Sequence, residues 1–286
     1  MMSEPRIDFI GSAGAFKGVA VVANSLPLRG AIWQRIEPVL EKTLAISIFL
    51  VLWEIVPRIG LIDRSYVPPL SEVLIRGFQF LLAGKLLPHI VISIQRALGG
   101  YLLGVVFGVP LGLLIGWNKT LERYLDPFLQ LLRQTSPMAL FPVFIILFGV
   151  GYATQIIIIL WVVFWPILLN TISGVKYVNP LLVKSARSMG VTSLGLFTKV
   201  VLPSCIPSIV TGLRLSASYS LLMLVAAEMV GAYSGLGYLI VNAQYLFTVH
   251  LLYVGVIILA LFGVLTNWGL VRLERRLTTW KEEIHA

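Results

Sequence analysis

The chain has 286 residues, of which 58% are hydrophobic and only 12% charged, with a mean hydropathy of +0.91. Soluble domains are about a quarter charged, so the composition excludes a soluble globular protein and implies a polytopic membrane protein with room for roughly five to seven spans. The net charge of +9 does not indicate nucleic acid, because the basic residues cluster at the ends and between hydrophobic segments, as positive-inside topology requires. Cys205 is the single cysteine, which excludes an intrachain disulfide and a cysteine metal cluster.

Residues 1–42 are of mixed polarity, carry Arg6, Lys17, Arg29, Arg35 and Lys42, and read as a cytoplasmic tail. They lack an apolar run followed by a small-residue cleavage site, so no removable signal peptide is expected. The stretch Gly11-Ser-Ala-Gly14-Ala-Phe-Lys17-Gly18 fails the phosphate-loop spacing, which needs Gly directly before the Lys and Ser or Thr directly after it. No nucleotide site is expected in this chain. Residues 43–88 hold the first transmembrane helix, from Thr43 to Pro57 with Glu54 inside it, and an outer loop. Pro68-Pro69-Leu70-Ser71 introduces an amphipathic helix in that loop, with Ser71 expected as N-cap and Glu72 near the positive helix end.

The core, residues 89–272, opens with a second span from His89 to Trp117 that contains Arg96. Its glycines Gly100, Gly104, Gly108, Gly112 and Gly116, preceded by Gly99, fall on one helix face and predict close approach of another helix. Lys119 and Arg123 mark a cytoplasmic turn. No charged residue lies between Arg133 and Lys176, and Gly149-Val-Gly151-Tyr-Ala-Thr154 divides this stretch into spans three and four. Pro137 and Pro142 interrupt span three, each freeing a carbonyl that only protein or a wet cavity can satisfy. Span three is therefore expected to line a path, with Ser136, Met138 and Phe141 as lining residues. Arg133, one turn before the break, is either a snorkelling anchor or an attractor for an anion.

Between spans four and five a polar connection, residues 174–206, reads as a helix-turn-helix elbow. Asn179 is placed to cap it, Pro180 suits the first helical position, and Gly190 is placed to end it in the left-handed conformation. Thr192 or Ser193 can cap a second short helix, which Pro203 is expected to close. Span five, Ile209 to Gly231, carries Arg214 and Glu228. A buried carboxylate in a membrane pairs or faces a wet interior, so Glu228 is read either as part of a gate or subunit interface, or as partner to a basic group or backbone amides. A loop from Ser234 to His250, span six from Leu251 to Leu270, and a cytoplasmic tail of residues 273–286 complete the chain. With both ends inside, fifteen Lys and Arg fall on the cytoplasmic side against four outside, and the elbow is cytoplasmic. The three histidines lie far apart, so no metal site is indicated.

The elbow resembles the EAA loop of ABC-importer permeases, in which Glu-Ala-Ala is followed by three residues, Gly, nine residues and Ile-x-Leu-Pro. Here the positions read Lys184-Ser185-Ala186, Gly190 and Val200-Val201-Leu202-Pro203, with the spacing kept and Glu-Ala replaced by Lys-Ser. Further blocks, among them Arg96-Ala-Leu-Gly-Gly, Leu125-Asp126-Pro127, Phe148-Gly149-Val-Gly151, Ala226-Ala227-Glu228-Met229 and Gly235-Leu-Gly237-Tyr238, look like the nitrate/sulfonate/taurine/bicarbonate branch. The resemblance implies an all-α, type I ABC-importer (MetI-like) permease fold of about six spans in a bacterial inner membrane. It implies a homodimer, two cytoplasmic ATPase subunits that bind ATP and Mg, and an extracytoplasmic solute-binding protein. The permease itself would hydrolyse nothing. Pro180, Val183, Lys184, Ser185, Ala186, Arg187, Met189, Gly190, Leu202 and Pro203 would couple it to the ATPase, through shape, capping and apolar fit more than through one acidic residue. A secondary transporter or channel acting alone would leave the elbow unexplained and predicts inverted repeats, which are not seen by eye. An integral-membrane enzyme would need clustered His, Cys or acidic side chains, which are absent. Nitrate, bicarbonate, taurine, alkanesulfonates and small heterocycles all remain open as substrates.

Overall fold

The computed structural model describes residues 44–277, and every regular element among them is helical. The chain divides into two units, residues 1–56 and 57–286. In the first, the described residues belong to helix α1, residues 44–58, where the Phe49 and Trp53 rings meet edge to face at 5.9 Å. The expected tail of residues 1–42, with Ile36–Leu40 as an expected backward extension of the first span, lies outside the described residues.

The second unit contains α2 (Leu70–Leu82), α3 (Leu86–Trp117), α4 (Lys119–Gln134), α5 (Pro137–Phe148), α6 (Tyr152–Lys176), α7 (Pro180–Ser188), α8 (Ser193–Leu196), α9 (Leu202–Gly231), α10 (Leu236–Tyr245) and α11 (Val249–Leu277). Among the described residues, four helical stretches are long and apolar enough to cross a membrane: α3, α6, Ser193–Gly231 and α11. The pair α4 and α5, bent by 92°, supplies a fifth crossing if taken as one broken span.

The centre is a three-helix packing of α3, α6 and α9. Lipid supplies no hydrophobic drive between helices, so contact has to come from shape. The glycine stripe provides it. A Cβ at Gly104 would stand 2.6 Å from Val163 Cγ1, one at Gly108 2.9 Å from Ile167, one at Gly112 2.6 Å from Thr171, and one at Gly116 2.8 Å from Val175. Both helices step by four residues in the same direction, so α3 and α6 run parallel with side chains of one seated on backbone of the other. On its other side α6 meets α9 antiparallel: a Cβ at Gly212 would lie 3.0 Å from the Pro166 carbonyl, and one at Gly174 2.9 Å from Ser208. Ile158, Ile159, Val163, Ile167 and Leu224 fill the space between the three helices.

Four local expectations are corrected. Pro142 does not interrupt span three: it lies inside α5, and the break falls before Pro137, which leaves α5 with 12 residues, about 18 Å, well short of a hydrocarbon core of about 30 Å. Proline disfavours helix in the residue before it. Ser136 is accordingly extended at ψ 123°, and amphipathic α4 turns sharply there. Pro203 does not close a helix. It sits at the start of α9, and the missing N–H is absorbed by a π-helical turn, Phe197–Val201, in which the Leu202 N–H reaches back to the Phe197 carbonyl. The expected loop from Ser234 to His250 contains α10, and α11 runs on to Leu277, past the expected end of span six. Finally, Pro69 rather than Ser71 is the N-cap of α2, and the Ser71 hydroxyl accepts a hydrogen bond from Arg58 at 3.0 Å.

The glycine contact has a measurable consequence. At Gly112 an added methyl also meets the Leu168 carbonyl at 2.9 Å, so Gly112→Ala is expected to destabilise by about 1–3 kcal/mol. Gly269 of α11 has open space around it, and Gly269→Ala is expected to be neutral or to gain up to about 1 kcal/mol. Thermal unfolding of the two variants in detergent checks the contrast.

Candidate functional site

The sequence-derived site residues fall into three places. The first is the elbow. Asn179 Oδ1 accepts from the Leu181 N–H at 2.9 Å, and Pro180 occupies the first helical position of α7. Gly190, at φ +74°, ends that helix. Its N–H bonds to the Arg187 carbonyl at 3.0 Å, and the Val191 N–H bonds to the Ala186 carbonyl at 3.2 Å. This six-to-one closure satisfies carbonyls that a helix end leaves free. Thr192 Oγ1 then accepts from the Gly195 N–H at 3.3 Å and starts α8.

Exposure sorts the elbow residues into groups. Ala186 is buried, Val183 and Leu202 are half-buried, and Lys184, Ser185, Arg187, Gly190 and Pro203 are exposed. Met189 is 75% exposed and is joined by Leu181, Leu182 and Leu194, three exposed leucines that the motif did not single out. For the two on α7 the signal was present in the sequence: Leu181, Leu182, Ser185 and Met189 share one side of a helix whose opposite side carries Lys184 and Arg187.

The second place is the break between α4 and α5. A cavity of about 360 Å3 opens there, lined by Arg133, Thr135 and Pro137 and by Trp161, Trp165 and Tyr219 across from them. Arg133 has no hydrogen-bond or ion-pair partner among the described residues. The two indoles meet edge to face at 5.2 Å, and their buried N–H groups have no acceptor. Pro166 lacks the N–H that would bond the Val162 carbonyl, and both residues line the same space. Ser136 and Met138, expected to line the path, are exposed and are not among the residues that line this cavity. Phe141 is buried: at 3% exposed it belongs to the core with Met223 and Leu224. Arg214, another arginine within a span, pairs with Glu274 of α11 at 2.8 Å.

The third place surrounds Glu228, which is fully buried. Its carboxylate accepts from Ser93 Oγ at 2.8 Å, Arg96 Nη1 at 2.8 Å and the Gly237 N–H at 2.8 Å. Of the two readings left open by the sequence, this geometry supplies both a basic group and a backbone amide. The Gly237 amide lies in the first turn of α10, so the carboxylate also meets the positive end of that helix. Arg96 bonds on to the Ser234 carbonyl, and Ser93 Oγ accepts from the Leu236 N–H at 2.8 Å. His89 Nδ1 meets the Gly235 backbone at 3.1 Å. Gly235 sits at φ +118° directly over the carboxylate, where a side chain would overlap it. His89 and Ser93 were not identified from sequence, although His89, Ser93, Arg96 and Gly100 are spaced as one helix face. Nearby, Gln155 Nε2 donates to the Gly231 carbonyl at 2.7 Å and ties α6 to the end of α9. Among the described residues no group of His, Cys, Asp and Glu is arranged to hold a metal.

Comparison with known proteins gives the family of the chain. Residues 104–279 match the family model described as the binding-protein-dependent transport system inner membrane component. A putative aliphatic sulfonates transport permease protein of Bacillus subtilis (strain 168) is 34% identical over 92% of this chain and 97% of its own length. The taurine transport system permease protein of Escherichia coli (strain K12) is 32% identical over 84% of this chain and 89% of its own. Among solved structures, the inward-facing MetNI methionine ABC transporter contains a chain that superposes with a TM-score of 0.60 at 19% identity, covering 68% of this chain and 96% of that one. That likeness shows the shared fold. The chain belongs to the family of binding-protein-dependent transport system inner membrane components, a family of transport permeases and not of enzymes.

Proposed function

We propose that this permease imports a small organic anion of the sulfonate type, working as a homodimer with two ATPase subunits and an extracytoplasmic binding protein. The single observation that carries the anion is Arg133: an unpaired guanidinium on an aromatic-walled cavity at the break in a membrane-crossing pair. An intramembrane cation without a partner is costly unless a ligand or water answers it. Among the described residues no acidic side chain lines the cavity, and relatives at 34% and 32% identity are named for aliphatic sulfonates and taurine. A path for such a solute should hold it weakly, which suits one cation with scattered dipoles from Thr135, Tyr219 and the freed Val162 carbonyl. Ser136, Pro137 and Met138 flank that path.

Orientation follows from the bias of fifteen basic residues to four, which supports a cytoplasmic elbow and cytoplasmic termini. ATP and Mg would then bind only to the partner subunits. The outward leucines and Met189 of the elbow form its docking side, held in shape by the Asn179 cap and the Gly190 turn. At the opposite end, Glu228 holds the 232–237 turn against α3 and serves as part of the outer gate.

Reconstitution with the ATPase subunits, the binding protein and a sulfonate tests the whole reading. Leu182→Asp is expected to abolish co-purification of the ATPase while shifting fold stability by no more than about 0.5 kcal/mol. Full ATPase recovery with this variant would leave the elbow a mere connector. Arg133→Gln is expected to slow sulfonate transport about tenfold, the worth of one hydrogen bond to a charged group, with the affinity of the binding protein unchanged. Glu228→Gln is expected to cost about 3–5 kcal/mol of fold stability and to lower transport. Normal assembly together with a normal transport rate would dismiss the gate.

A further inference from the structure

A separate cavity, of about 440 Å3, lies between the elbow and the membrane-crossing body. The ends of α3, α4 and α6 form one wall, with Trp117, Lys119, Glu122 and Lys176. The elbow forms the other, with Val183, Lys184 and Arg187. Helix α7 therefore has two unlike sides. Pro180, Val183, Lys184 and Arg187, at i, i+3, i+4 and i+7, line the cavity. Leu181, Leu182 and Met189 are exposed and take no part in the lining. A surface helix normally turns its apolar stripe toward the body and its charges toward water; this one does the reverse.

The charges do not cancel. Among the described residues Glu122 is the one carboxylate in the lining, and Lys176 Nζ answers it at 2.8 Å. Lys119, Lys184 and Arg187 have no side-chain partner among the described residues. Four cations against one carboxylate leave three positive charges around one small space, and like charges held together raise its affinity for an anion. The rest of the lining is apolar, including Val175, Leu196 and Val201. The cavity also sits where two spans end: Trp117, the last residue of α3, is 41% exposed and packs edge to face on Phe197 of the elbow at 5.2 Å. Tryptophan in that position marks the level of lipid headgroups.

We propose that this cavity binds the phosphate of an anionic phospholipid, with Lys119, Lys184 and Arg187 as its cations and the acyl chains leaving past Trp117. Basic pockets between span ends take such headgroups. Free phosphate would find the same cations but would leave the apolar half of the lining unfilled. A carboxylate of the ATPase would approach the leucine side of α7, which faces elsewhere. Position 184 gains a reason by the same argument. Where the family pattern has Glu, this chain has Lys, and a carboxylate there would repel the phosphate. A bound headgroup would bridge Lys119 of the body to Lys184 and Arg187 of the elbow. That bridge bears on coupling only if the elbow docks the ATPase as proposed; the binding itself does not depend on it.

The full-length permease in neutral detergent, titrated with dioleoylphosphatidylglycerol and followed by native mass spectrometry, tests the site. Saturable binding is expected, with dioleoylphosphatidylcholine and millimolar inorganic phosphate both failing to displace the lipid. Each cation is worth about fivefold in affinity, so the combined Lys119→Gln, Lys184→Gln and Arg187→Gln variant should bind about a hundredfold more weakly. Lys184→Glu should weaken binding more than Lys184→Gln. Lys199→Gln, an exposed elbow cation outside the lining, should bind as the parent does. Unchanged affinity in the triple variant overturns the proposal. So does displacement by inorganic phosphate, which would make this a free-anion site. Loss of the lipid when the ATPase subunits assemble would place a partner carboxylate in the cavity and overturn it as well.

Discussion

The structure depends on how closely α3 can approach α6. In a bilayer the lipid tails are as apolar as leucine, so two helices gain nothing by hiding apolar surface from each other. What remains is contact density, and contact density between helices rises steeply when side chains on one side disappear. The stripe from Gly100 to Gly116 removes them over four helical turns, and Ile159, Val163, Ile167, Thr171 and Val175 fill the vacated strip. Helix α9 closes on the pair from the other side with Gly212. The irregular parts of the molecule, the broken α4–α5 pair, the elbow and the 232–237 turn, all hang on this dry centre.

Much of that was legible in the sequence, because it is written as period. Glycine every fourth residue has one structural meaning in a membrane helix, and the capped elbow carried its own punctuation in Asn179, Pro180 and Gly190. The less legible features were tertiary. Pro137 and Pro142 announced a disturbed span, but whether a proline bends, breaks or shortens a helix depends on what receives the freed groups. Pro203 misled for a related reason. Read alone it ends a helix, whereas a wider turn over Phe197–Val201 lets the helix continue. Phe141 lies next to the break in sequence, yet α5 is rotated so that its ring enters the core.

Glu228 shows the same limit from the other side. Its cost in a membrane was evident from sequence, and the need for a partner followed. The partners came from α3 and from the first turn of α10, and only Arg96 among them stood out as a charge. Three independent donors converge on that carboxylate, so the group is fully satisfied and the turn beside it is fixed in place. A glycine at position 235 is required by the geometry, since the backbone is left-handed there and the carboxylate lies where a side chain would be.

The π turn at Phe197–Val201 has a mechanical consequence. Because it joins α8 to α9 without a loop, Ser193–Gly231 is a single helix of 39 residues, about 58 Å from end to end. One of its close seats against α6, at Gly212, falls at its midpoint, giving two arms of about 29 Å. The beam therefore has a fulcrum and equal arms. A sideways push on the elbow end would swing the Glu228 end the opposite way, less whatever bending the π turn and Pro207 in the elbow-side arm take up.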